Sequence, residues 1–150
     1  MTNMLAKRPN HHVAWLWALT GLFCLRVIAQ PLALIVESPW LPRFNEWHSE
    51  VMPYGVLLAF QLAIITTLVV VNVSHVRGSV VRKRRFGHLL TVIGAVYALG
   101  MIARLLLGMT LADPSHWFAN KISPWFHLVL AAYLLTLARF HLSVSQGGDQ

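Results

Sequence analysis

The chain has 150 residues, of which 57% are hydrophobic and only 11% charged, against about 25% charged in soluble domains. The length fits one domain, and a soluble core of that size cannot hide so much apolar surface. The composition therefore excludes an ordinary soluble enzyme and leaves an integral membrane protein. The net charge of +7 gathers beside apolar runs, where it orients a chain in a membrane rather than indicating nucleic acid.

The N-terminal "MTNMLAKRPNHH" is polar and basic and leads into a first apolar run over 13–36. That run is too long for a signal-peptide core and no small-residue cleavage site follows, so it reads as a retained signal-anchor helix. Arg26, Gln30 and Pro31 interrupt it. Cys24 lies inside the same run and reads as a small buried hydrophobe. The connection "ESPWLPRFNEWHSEV" closes the span. Within it Phe44, Trp47 and Val51 fall on one helical face, which predicts a short amphipathic segment at the membrane surface.

A second run covers 51–73 and ends at "SHVRG"; the basic stretch "RGSVVRKRR" follows it. A third run covers 89–111 and carries Gly94, Gly100 and Gly108, which suit close helix approach without forming a strict GxxxG. "ADPSHW" punctuates its end, and its Asp, Ser and His read as a turn signal rather than a catalytic triad, since nothing places base and nucleophile on facing elements. The fourth run, 123–142, opens on Ser123-Pro124, a predicted N-cap followed by proline at the first helical position. "SVSQGGDQ" reads as a frayed tail.

Each run is long enough to cross ~30 Å of hydrocarbon as a helix, and none shows the period-2 alternation of a barrel strand. Lys7 and Arg8 precede the first run, and Arg77, Arg82, Lys83, Arg84 and Arg85 lie between the second and third. The opposite connections hold Arg43 and Lys121 with Glu37, Glu46, Glu50 and Asp113. The positive-inside rule then puts both termini in the cytoplasm. Trp40, Trp47, Tyr54, Trp117 and Trp125 mark the outer interface, and Trp15 and Trp17 the inner one. The expected fold is all-α: one domain over 1–150, a bundle of four antiparallel transmembrane helices in a bacterial inner (plasma) membrane.

Several polar side chains lie deep in these spans. Arg26 and Gln30 share a face at i, i+4 spacing. Gln61 lies about two turns into the second span, Arg104 about two turns inside the outer end of the third, and His127 about one turn into the fourth. A cation at mid-membrane costs ~2.5–3.5 kcal/mol on insertion scales, so both arginines are expected to face the bundle. No deep anion is at hand: Glu37 is eleven residues from Arg26, ~16 Å along a helix, and Asp113 is nine from Arg104, ~13 Å. Pro31 removes a backbone donor and frees the Val27 carbonyl beside Arg26. Arg26, Gln30, Gln61, Arg104 and His127 thus form a predicted polar cluster in the outer half. It reads in three ways: as hydrogen-bonding glue between helices, as a pocket for an anionic or quinone-like ligand, or as an interface with a membrane partner subunit or a second copy. The bilayer itself is a partner on all three readings, and nucleic acid is not.

The histidines offer an alternative. His12, His75, His88 and His141 each lie near the basic end of a different span, and His127 lies fourteen residues before His141 on nearly one face. That spacing resembles the two-haem helices of cytochrome b, and implies a haem- or quinone-dependent membrane electron-transfer protein with haem b held by His127 and His141 with His75 and His88. The pattern is incomplete, because Gln61 stands where a second outer ligand would be needed on the helix of His75. No HxxxH or HExxH spacing indicates another metal. There is no nucleophile elbow, P-loop or deep carboxylate pair, so no catalytic residue is assigned.

Overall fold

A computed structural model of the chain describes residues 11–35, 53–110 and 122–143. These form four α-helices: α1 (His11–Ile35), α2 (Tyr54–Val76), α3 (Arg84–Thr110) and α4 (Ile122–Leu142). No strand occurs among the described residues. All four helices are long and apolar enough to cross a membrane. The expected amphipathic segment at 44–51, the terminal segments and all five acidic residues lie outside the described residues.

The helix ends depart from the apolar runs for local reasons. α2 continues to Val76 and stops in a Schellman turn. There the Gly78 N–H donates to the His75 carbonyl and the Ser79 N–H to the Ser74 carbonyl. Gly78 takes the left-handed φ of +67° that this turn requires. α3 begins at Arg84, five residues before the apolar run, because helical hydrogen bonding does not end where hydrocarbon does. α4 begins at Ile122, so Ser123 and Pro124 lie inside its first turn and Ser123 is not the N-cap. Proline is tolerated there because first-turn N–H groups have no acceptor within the helix. α1 runs through Pro31 without ending.

Packing does not follow chain order. α1 and α4 form the inner pair, with α2 against α1 and α3 against α4. Among the described residues α2 and α3 make no close backbone approach although a short loop joins them. Gly87 meets Leu142 and Gly94 meets Leu135 on the α3–α4 seam. His12 lies near Phe140 and Arg26 over Phe126 between α1 and α4.

Glycine makes the α3–α4 seam close. A Cβ at Gly94 would stand 3.0 Å from Leu135 Cδ2, and one at Gly87 2.9 Å from Leu142. Nothing lies within 4 Å of the corresponding position at Gly100, so that glycine has no packing role in this seam. The shared core is Leu16, Phe23 and Val27 of α1, Leu68 of α2, Leu90 of α3, and Tyr133, Leu137 and Ala138 of α4. Large apolar side chains such as Phe60, Val96 and Leu99 lie on the outside, an arrangement suited to a hydrocarbon solvent and not to water.

A closed hydrogen-bond network ties three helices at mid-bundle. Asn72 Nδ2 donates to Thr20 Oγ1 at 2.9 Å, and the Tyr133 hydroxyl donates to Asn72 Oδ1 at 2.8 Å. Thr20 in turn donates to its own Leu16 carbonyl. All three side chains are buried. Thr66, Thr67, Ser74, Thr91 and Thr136 donate to the carbonyl four residues back, so none brings an orphan hydroxyl into the apolar layer.

Candidate functional site

The polar cluster is built from the ends of the helices remote from the basic loop. Arg26 is 5% exposed. Its guanidinium lies 5.2 Å from the ring centroid of Phe126 on α4, a cation–π contact. Its Nε has no hydrogen-bond acceptor among the described residues. One residue along α4, His127 is half-buried, and a 2.6 Å hydrogen bond joins its Nδ1 to the Tyr97 hydroxyl of α3. Arg26 and Arg104 both lie within electrostatic reach of His127, and Arg26 also of Tyr97. Three helices thus bring two cations, a phenol and an imidazole to one place.

Arg26, Arg104 and His127 of the predicted cluster are therefore neighbours. Gln30 is fully buried at 0% exposure, one turn further along α1. Gln61 is 3% exposed, and neither its amide nitrogen nor its oxygen has a hydrogen-bond partner among the described residues. It sits eleven residues before Asn72, ~16 Å back along α2. Gln30 sits ten residues past Thr20 on α1, so the Thr20–Asn72 bond puts the two glutamines at one level. No described contact joins Gln61 to the arginines.

Tyr97 and Phe126 are the residues that sequence reasoning missed. A signal for Tyr97 existed: it lies seven residues before Arg104, two turns along the same face of α3. Phe126 carries no such mark, since one more aromatic in an apolar run reads as core.

At the basic end, His12, His75 and His141 come together and His88 does not; it is exposed on α3. Phe140 fills the centre, its ring centroid 4.7 Å from both His12 and His75. His75 Nδ1 donates to the Val71 carbonyl at 2.8 Å. His141 Nδ1 accepts the Lys83 backbone N–H at 3.2 Å, so its proton sits on Nε2. Arg82 stacks over Phe140 at 4.5 Å. The loop between α2 and α3 is thereby pinned to α4 by one hydrogen bond and one cation–π contact.

The cytochrome-b-like arrangement holds each haem between two imidazoles that face each other across its plane at one level. At the far end, the described residue of α1 level with His127 is Arg26, and the described residue of α3 bonded to it is Tyr97. At the basic end Phe140 lies against two of the three rings, and His141 presents a protonated Nε2. The His12 and His75 rings lie 6.2 Å apart, edge to face, and among the described residues no three His, Cys, Asp or Glu side chains gather to hold a metal ion.

Compared with protein families, curated proteins and solved structures, the chain matches none.

Proposed function

We propose that this chain is a multi-pass protein of a bacterial inner membrane, with four antiparallel spans and both termini cytoplasmic. On this reading it is a non-enzymatic or accessory protein that binds an anionic or quinone-like ligand at Arg26, Tyr97, Arg104 and His127. The observation that carries the reading is Arg26. A guanidinium 5% exposed, touching an aromatic face, has an Nε without an acceptor among the described residues. A buried charge without full hydrogen bonding is expensive, and an oxygen of a carboxylate, phosphate or quinone placed there would offset that cost. Arg104 and the Tyr97–His127 pair add further groups able to bond the same oxygen-rich ligand. Gln61, level with Gln30, widens the polar lining of this half of the bundle.

The cation–π contact favours one second reading, in which Arg26 is held by Phe126 as packing and the cluster fixes helix positions. The two readings separate on Arg104→Leu. Thermal unfolding of the purified protein is followed with and without a short-chain quinone, a small dicarboxylate and a phosphate ester. The ligand reading expects wild type to be stabilised by one of these and Arg104→Leu to lose that response while its unliganded Tm stays near wild type. A lower basal Tm in the variant, with no response to any of the three in wild type, assigns the cluster to packing.

A further inference from the structure

A gap separates α2 from α3 at the basic end, away from the cluster above. The two helices are joined by a short loop yet make no close backbone approach. Between them lies an open cavity of about 440 Å³, within the ~300–1,000 Å³ range of ligand pockets. Its walls are apolar: Val70 from α2, Val81 from the loop, Phe86 from α3 and Leu137 from α4. Val70, Val81 and Phe86 are exposed on the outside of the bundle, where the lipid would be. Lys83 and His75 bring polar groups to the same cavity.

His75 is 7% exposed, and its Nε2 has no hydrogen-bond partner among the described residues while Nδ1 is held on the Val71 carbonyl. Arg77, Arg82 and Lys83 lie in the loop, and Arg84 and Arg85 in the first turn of α3. An apolar groove that opens toward lipid and ends at a basic rim matches an amphiphile with an anionic head. Free phosphate would have no use for the valine and phenylalanine walls.

We propose that this gap binds an anionic phospholipid, with its phosphate at Lys83 and His75 and one acyl chain between Val70, Val81, Phe86 and Leu137. The site goes beyond the ligand reading of the far cluster and does not depend on it.

The test uses the full chain in a neutral detergent, titrated with phosphatidylglycerol, phosphatidylcholine or inorganic phosphate, with Tm and native mass spectrometry as readouts. Phosphatidylglycerol should raise Tm and remain bound, and the other two should do neither at equal concentration. Lys83→Gln should weaken phosphatidylglycerol binding about fivefold, the loss of one cation near a lipid surface. Val81→Trp should fill the groove and abolish the response with little change in basal Tm, since Val81 is 71% exposed. Val70→Phe, on the opposite wall, serves if Val81→Trp does not fold. Arg84→Gln, outside the cavity lining, should weaken binding less than Lys83→Gln. Equal stabilisation by phosphatidylcholine would overturn the proposal, as would a full response to phosphate alone. So would a full phosphatidylglycerol response in the groove-filling variants, which would reduce the effect to diffuse attraction by the loop.

Discussion

Two polar regions share this bundle and treat burial in opposite ways. At mid-bundle, Asn72 gives its amide N–H to Thr20 and takes the Tyr133 hydroxyl, so polar atoms from three helices satisfy one another. Toward the end remote from the basic loop, Arg26 and Gln61 are equally buried, yet Arg26 Nε and both amide atoms of Gln61 have no hydrogen-bond partner among the described residues. The first region is complete from the protein's own atoms. The second has bonding capacity left over, which the ligand reading would use and the packing reading would leave unmet. The neutral network also weakens the case that the arginines are needed as glue, since three of the four helices are already tied without them.

That contrast can be broken by substitution. Asn72→Ala should cost the most, about 2–3 kcal/mol, from two lost interhelical bonds and the space left behind; unfolding in detergent micelles measures it. A cost under ~0.5 kcal/mol would mean that the network is not what ties α2 to α4. Gly94→Val tests the α3–α4 seam, where the added carbon meets Leu135 at 3.0 Å. Overpacking there should cost about 2 kcal/mol, whereas Gly100→Ala, with nothing within 4 Å, should be neutral or slightly stabilising. Equal effects at the two glycines would contradict the seam. The smallest effect has the opposite sign: Gln61→Leu should stabilise the unliganded protein by about 1 kcal/mol, because it removes a buried amide that has no partner. A loss of stability would show that the amide is engaged in the purified protein and would move Gln61 into the satisfied class.

Four membrane-length helices were legible from hydropathy, and Arg26, Gln30, Gln61, Arg104 and His127 stood out as candidates because charge and amide groups contrast with valine and leucine. The Thr20–Asn72–Tyr133 network was not. Threonine satisfies itself on its own helix, Tyr133 is one more aromatic in an apolar run, and Asn72 sits one residue from the end of the second run. Their meeting depends on which helices pack, and chain order misleads on that point, since α2 and α3 are successive but stand apart. The early start of α3 was hidden for a different reason: Arg84 and Arg85 belong to the helix but not to the apolar run. Tyr97 was missed because its partner, His127, lies thirty residues away on α4.

The standing of α4 has a consequence for how the protein is made. α4 packs on α1 and α3 and reaches α2 through Tyr133, so the fourth helix to be made is the one that joins the other three. Until it arrives, α3 has no described neighbour, Asn72 lacks the donor for its Oδ1, and the close-packed faces of Gly87 and Gly94 meet lipid. A nascent chain halted before residue 122 would therefore display an unmet amide oxygen and the uncovered Gly87 and Gly94 face. The bundle closes only when α4 joins it, and a ribosome-stalled chain should become protease-resistant only once α4 has cleared the exit tunnel.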